Sequence, residues 1–312
     1  MFAPPVEIDA LLFARVPDAL RRPGVATWMS RSGRIDCFIE GPAFDREGNL
    51  YLVDMPAGRI LRVDESGRFE VVVEYAGAPN GLAVHADGSV WVADRHNGIV
   101  RVDPVRGTWD QVLERLPSQS ITGSDTAFKG INDLTFDHDG NLYFTDQGAT
   151  GLQDPSGRLV RLGAAGEVDV LLDNIPSPNG LVLDSAGRNL YLAVTRANAI
   201  WHVPLTADRR AVGRVGLYLQ LNGGPGGGPD GLALDASSGL VIAHAQFGSV
   251  WVFSALGEPL FRIRVSQGAL VTNIAFGGRD GRTLYITESA SGSICTARLP
   301  HAGLALFSHA TD

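Results

Sequence analysis

Cysteine is nearly missing from this chain of 312 residues: Cys37 and Cys295 are its only two, and neither belongs to a Cys-x-x-Cys pair. Two thiols are too few for a disulfide framework, so two reduced core thiols are expected. Lysine is scarce among the 26 basic residues, no basic block occurs, and the net charge is −8. Nucleic acid and anionic membranes are therefore poor candidate partners. No apolar run reaches the roughly 18 residues that a membrane-spanning helix needs. Met1 to Glu7 show no basic stretch leading into an apolar one, so no signal peptide is expected and the protein is placed in the cytoplasm. The chain also lacks a His-Glu-x-x-His or paired-cysteine zinc motif and a Gly-x-Ser-x-Gly elbow.

What the chain does have is glycine, 38 residues of it, set between short apolar runs. That is the pattern of many strands joined by many turns. Six segments repeat, beginning at Glu40, Asn80, Asn132, Asn179, Asp230 and Asn273, at spacings of 40, 52, 47, 51 and 43 residues. Each holds two apolar runs split by a turn such as Asp87-Gly88 or Asp139-Gly140, and a third run follows, as in Arg59 to Val63 and Arg158 to Leu162. A fourth comes after most of them, as in Phe69 to Val73. Repeats of this length suit four-stranded propeller blades. The reading is an all-β, six-bladed propeller formed by residues 1–312 as one domain, with blades from about 35 to 308. A closed ring leaves fewer strand edges exposed than an open array of sheets. Closure needs a strand from one end to complete a blade begun at the other. Gly33 to Ile39 is expected to do this beside Ile294 to Leu299, with Leu304 to Ser308 as its competitor. That arrangement would set Cys37 and Cys295 in neighbouring strands. Residues 1–30 form an extension, with a short helix expected over Glu7 to Arg22.

The repeat alignment exposes two polar columns. The first reads Glu40, Asn80, Asn132, Asn179, Asp230, Asn273; the second, 14 or 15 residues later, reads Asp54, Asp94, Asp146, Val194, His244, Glu288. In a propeller the first strand of each blade lines the central channel, so the first column would converge on one axis, and each hairpin would return the second column to the same rim. Asn and Asp at strand ends also serve as turn formers, and for Asp54, Asp94 and Asp146 that structural reading is preferred. The alternative for the first column is a cation site. Carboxylate and amide oxygens suit hard cations, and a divalent ion would relieve repulsion between buried carboxylates.

Glu40-Gly-Pro, Asn132-Asp-Leu, Ser177-Pro-Asn-Gly and Gly228-Pro-Asp-Gly occur in this order, one per expected blade, supported by Thr145-Asp-Gln-Gly, Thr272-Asn-Ile-Ala-Phe-Gly and Ile286-Thr-Glu-Ser. With these motifs the chain, from about Ile35 to Leu306, resembles the senescence marker protein/gluconolactonase family of six-bladed propellers. The resemblance implies a metal-dependent lactonase with a small-molecule lactone as its partner. It implies one divalent ion held by Glu40, Asn179 and Asp230, with Asn132 as a further ligand or a substrate contact. Ca2+ is the first choice, and Mg2+, Mn2+ or Zn2+ the alternatives. Asn80 and Asn273 would then face the substrate. Animal gluconolactonases carry an arginine shortly before the third-blade Asn; here Lys129 stands in that stretch as its candidate replacement, which puts gluconolactone itself in doubt and points to other sugar or aldonate-type lactones.

The chemistry that follows is hydrolysis of the lactone by water, with the ion polarising the carbonyl as a Lewis acid. Asp230 is the first candidate base and Glu40 the second. Ser289 is dismissed as a nucleophile because no His partner is evident. Arg115 to Gly130 is an insertion that reads as a lid or as a surface loop. The rival readings are a phosphotriesterase-like hydrolase on the same site and a non-enzymatic binding scaffold with structural Ca2+.

Overall fold

The computed structural model describes residues 3–25, 35–118, 123–224 and 226–309. Six blades of four antiparallel strands succeed one another along the chain, each ordered from the channel outwards. The innermost strands are Ile39–Phe44, Pro79–Val84, Ile131–Phe136, Pro178–Leu183, Gly228–Leu234 and Val271–Gly277. Each contacts the innermost strands of the blades before and after it, and the last contacts the first, so the ring closes.

Local chemistry sets the hairpins. In blade 3 the Asp137 carboxylate accepts from the backbone N–H of Asp139 (2.9 Å) and Asn141 (3.0 Å). Gly140 supplies the left-handed φ of +79° that this turn demands. Asp45 and Asp235 hold the equivalent turns of blades 1 and 5 in the same way. Between blades, strict alternation sends one side chain in two to the preceding blade and the other to the following one. The buried apolar residues accordingly form six clusters among the described residues, one at each junction between successive blades.

Ring closure differs from the sequence expectation. Leu11–Arg15, not Gly33 to Ile39, is the outer strand of blade 6, antiparallel to Ser293–Arg298. Val6–Asp9 adds a fifth, parallel strand outside Pro259–Arg264 of blade 5. The helix expected over Glu7 to Arg22 is therefore two strands followed by one short 3-10 turn, Asp18–Leu20. The physical reason is that each outer strand offers a row of unpaired N–H and C=O groups, which an extended segment can satisfy and a helix cannot. Gly33 and Arg34 lie outside the described residues, and Ile35 to Phe38 lead into blade 1 without joining a strand. Cys37 consequently packs at the junction of blades 6 and 1 and Cys295 at that of blades 5 and 6; both are free and buried. The tail does not compete for the outer edge. Gly303 bridges to Asp235 and the Leu304 N–H donates to the Leu234 carbonyl, which carries the chain across one mouth of the channel.

Candidate active site

All six first-column residues stand on the innermost strands, near the opposite mouth. At each of them the pairing with the second strand breaks register, between Glu40 and Ala43, Pro79 and Leu82, Ile131 and Leu134, Pro178 and Leu181, Pro229 and Leu232, and Val271 and Asn273. Such irregularities re-aim side chains, here towards the axis. The ring is narrow at this level. A methyl group placed on Gly41, Gly180 or Gly231 would lie 2.7 Å from the Asn80 carbonyl, 2.3 Å from the Asp230 carbonyl and 2.0 Å from Asn273 Oδ1, respectively. Glycine after the column is thus required by the close approach of neighbouring strands.

Blades 3 and 6 break this pattern, with Asp133 and Ile274 after the column. The buried carboxylate of Asp133 joins the centre; Asn273 Nδ2 reaches it at 3.4 Å. The sequence reading missed Asp133, although its place in a column otherwise rich in glycine was the signal. Three carboxylates therefore share the centre. Burial pushes Glu40 up to about 8, and Asp133 adds to this by repulsion. Burial likewise raises Asp133 to about 7. Asp230 is enclosed by the channel walls yet keeps part of its surface open, and burial, then Glu40 and Asp133, raise it well above the carboxylate range.

Two oxygens in this centre are buried with no hydrogen-bond partner: Glu40 Oε2 and Asn179 Oδ1. The other Glu40 oxygen accepts from Asn273 Nδ2 at 2.9 Å, so Asn273 anchors Glu40. Asn132 spends its amide nitrogen on Gln147 Oε1 (2.8 Å), and Gln147 in turn donates to Ser177 Oγ (3.1 Å), which leaves the Asn132 oxygen available. Ser177 holds a left-handed φ of +66° just before Pro178 and Asn179, a strained position for a residue with a side chain. Among the described residues no three His, Cys, Asp or Glu side chains converge as a ligand set, so a cation here would need the amide oxygens as well. Unpaired oxygens of Glu and Asn beside crowded carboxylates fit a hard divalent ion.

Above the centre opens a cavity of about 820 Å3, whose lining includes Glu40, Asn80, Asn132, Asn179 and Asp230. Asn273 is not part of that wall; it lines a second cavity of about 480 Å3 deeper in the channel, amid Leu82, Leu134, Leu181 and Leu232, with Phe307 of the tail at its far end. Lys129 lies outside the wall too, exposed. Two arginines do line the cavity, Arg95 and Arg196, and a methyl group on Gly130 would sit 3.3 Å from Arg95 Nη2. Arg95 was missed because it follows the second column rather than preceding Asn132.

The second column is structural. Asp54 accepts from the Phe38 N–H (2.8 Å) and pairs with Arg59. Asp94 accepts from the N–H groups of Ala78, His96 and Asn97. Asp146 accepts from those of Lys129 (2.7 Å) and Gly130 (2.9 Å) and pairs with Arg158. Glu288 accepts from Leu270 and Ser291. These carboxylates clamp the start of an inner strand to the return strand, so the rim does not carry the second acidic ring that the alignment suggested. His244, fully buried, accepts from Trp251 Nε1. Ser289 donates its hydroxyl proton to the Ile39 carbonyl at 2.7 Å, a structural use. Of the insertion, Arg115–Leu116 and Thr126–Ala127 form a small hairpin; residues 119–122 lie outside the described residues.

Residues 38–290 match the model of the SMP-30/Gluconolactonase/LRE-like region. The chain is 30% identical over 281 residues to a gluconolactonase of Zymomonas mobilis, covering 80% of this chain and 76% of that one. It is also 30% identical over 252 residues to pentonolactonase XacC of Haloferax volcanii, covering 80% and 81%. Diisopropyl-fluorophosphatase of Loligo vulgaris is 24% identical over 282 residues, covering 82% and 87%. Among solved structures, a calcium-binding protein, regucalcin, from Agrobacterium tumefaciens superposes with a TM-score of 0.76 at 22% identity, covering 97% and 98%.

Proposed function

Since this chain belongs to the SMP-30/gluconolactonase/LRE-like family of propeller lactonases, we propose that it opens a small sugar or aldonate-type lactone to its hydroxy acid with the help of one divalent cation, Ca2+ before Mg2+, Mn2+ or Zn2+. Glu40, Asn179 and Asp230 would hold the ion, with Asn132 as the fourth ligand. The observation that carries this reading is the pair of orphaned buried oxygens, Glu40 Oε2 and Asn179 Oδ1, beside Asp230. Bound there, the ion would polarise the ester carbonyl and balance the buried negative charge.

The chain's own groups supply the rest. Asp230 touches both the centre and the open cavity. Burial raises its proton affinity in the cation-free channel, and a bound ion would lower it again, leaving the carboxylate ionised as a general base must be. Asp230 therefore takes the proton from the attacking water and returns it to the leaving ring oxygen. Glu40, the second candidate, is less free to do so, because Asn273 holds it. Asn80 and Asn132 on the cavity wall are placed to hydrogen-bond the hydroxyls of a sugar ring. Asn273 acts through Glu40 in this scheme, and Lys129 has no part in it. The similarity to diisopropyl-fluorophosphatase supports a second reading, a phosphotriester as the electrophile at the same site.

The test is a pH-indicator screen of five- and six-membered lactones on chelated protein, then with each cation restored, with Asp230→Ala as control. The expected result is cation-dependent acid release that falls by about 10²–10⁴-fold in the variant. A folded, cation-loaded protein inert on every lactone would refute the lactonase reading, and turnover of a phosphotriester by that protein would establish the second.

A further inference from the structure

We infer that the preferred lactone carries an oxyanion of its own, a carboxylate or a phosphate, and that Arg95 is the residue that selects it. The inference deepens the lactonase reading and rests on it.

Arg95 follows Asp94 at the end of Val90–Asp94, and its backbone N–H donates to the Ala78 carbonyl at 3.0 Å. Its main chain is thus held at the corner that Asp94 clamps. The guanidinium lies over Gly130 of blade 3, where the absence of a side chain leaves it room. It lines the cavity half-buried, and among the described residues it has no hydrogen-bond or ion-pair partner. The other half-buried arginines among the described residues are paired, Arg21 with Asp36, Arg62 with Glu70, Arg209 with Asp137 and Arg262 with Glu7, and so are the fully buried Arg59, Arg158 and Arg161. Burial acts against the charge of Arg95, and only the field of Asp146 opposes this. Asp146 has already spent its oxygens on Arg158 and on the N–H groups of Lys129 and Gly130.

A partly desolvated cation without a partner is costly unless a ligand supplies the anion. The floor of the cavity makes the same demand from the ligand's side. Glu40 and Asp230 line it and Asp133 lies just beneath, in the deeper cavity, three carboxylates against the two charges of a divalent ion, so an anionic substrate would be repelled unless a positive group on the wall received it. Arg196, also on the wall, is exposed and donates to the Gly226 carbonyl, so Arg95 is the half-buried guanidinium of this wall without a partner. The guanidinium fork offers two parallel N–H groups, matched to a carboxylate or phosphate edge.

The experiment compares kcat/KM for a neutral aldonolactone, a lactone bearing a carboxylate and a lactone bearing a phosphate, using cation-loaded wild type, Arg95→Met and Arg95→Lys. In parallel, calorimetry measures binding of a hydroxy acid with a second carboxylate against one without it. Wild type is expected to prefer one charged lactone, and whichever it prefers names the oxyanion. In Arg95→Met the ratio of charged to neutral kcat/KM should fall about 10- to 100-fold, the worth of a hydrogen bond to a charged group. Arg95→Lys should recover part of that ratio, and the binding preference for the dicarboxylate should follow the same order if the oxyanion is a carboxylate. An unchanged ratio in Arg95→Met, or wild type with no preference for either charged lactone, overturns the inference while leaving the lactonase reading intact. Wild type inert on all three lactones would instead be the failure of that reading, and equal binding of the two acids by wild type and Arg95→Met would then reject the role of Arg95 as well.

Discussion

Replacing Glu40 by Gln removes a charge and keeps the shape, so it isolates the cost of holding this carboxylate in the channel. In the cation-free protein burial lifts the group from an ordinary 4.5 to about 8. The folded state therefore retains a proton that the unfolded chain releases. Stability from this group is complete below pH about 4.5 and is lost as the pH rises towards about 8. Between pH 5 and pH 7 the loss is roughly 2–3 kcal/mol, taking 1.36 kcal/mol per pH unit. With roughly 2 cal/mol/K of unfolding entropy per residue, that is a shift of about 4 °C in melting temperature for a chain of this length. Scanning calorimetry in a chelator should show wild type losing about 4 °C more than Glu40→Gln over that interval. Saturating Ca2+ should reverse the order, because ligand binding to the folded state stabilises wild type and the amide variant has lost a charged ligand. Parallel pH profiles for the two proteins, or an equal gain from Ca2+ in both, would refute the assignment of Glu40 as a buried carboxylate awaiting a cation.

Asp146→Ala should cost about 3–5 kcal/mol in urea denaturation, because it strands the buried Arg158 and frees the Lys129 and Gly130 N–H groups; a change under about 1 kcal/mol would contradict the clamp. Burial pushes the thiols of Cys37 and Cys295 up to about 12 and about 11, so at pH 8 a thiol reagent should label neither in the folded protein and both in denaturant; rapid labelling of the native protein would contradict their packing.

The strand pattern was legible because it is local. Alternation along Leu50 to Asp54 or Arg59 to Val63, and the Asp-Gly turns between runs, reflect side-chain geometry within a few residues. The column from Glu40 to Asn273 was legible because repetition aligns equivalent positions, and the structural reading of Asp54, Asp94 and Asp146 followed from their place at strand ends. Three jobs were not legible. Asn273 belongs to the column but fixes Glu40 across the seam between blades 6 and 1, a contact spanning 233 residues. Asp133 and Arg95 entered the site through gaps left by glycine, Gly81 for Asp133 and Gly130 for Arg95, in the adjacent blade.

By itself, then, the sequence determined six blades, the inner hairpin of each and the polar residues that begin them, since each depends on periodicity and turn chemistry alone. Only the tertiary structure decided which segment closes the ring. Leu11–Arg15 and the run ending at Ile39 are both apolar and extended in character, and the choice rests on which one reaches the open edge of Ser293–Arg298 while the other packs beneath it. The same holds for the site. Residue types can be read in one dimension, but the partners of an oxygen or a guanidinium are set by neighbouring blades that meet only when the ring is complete.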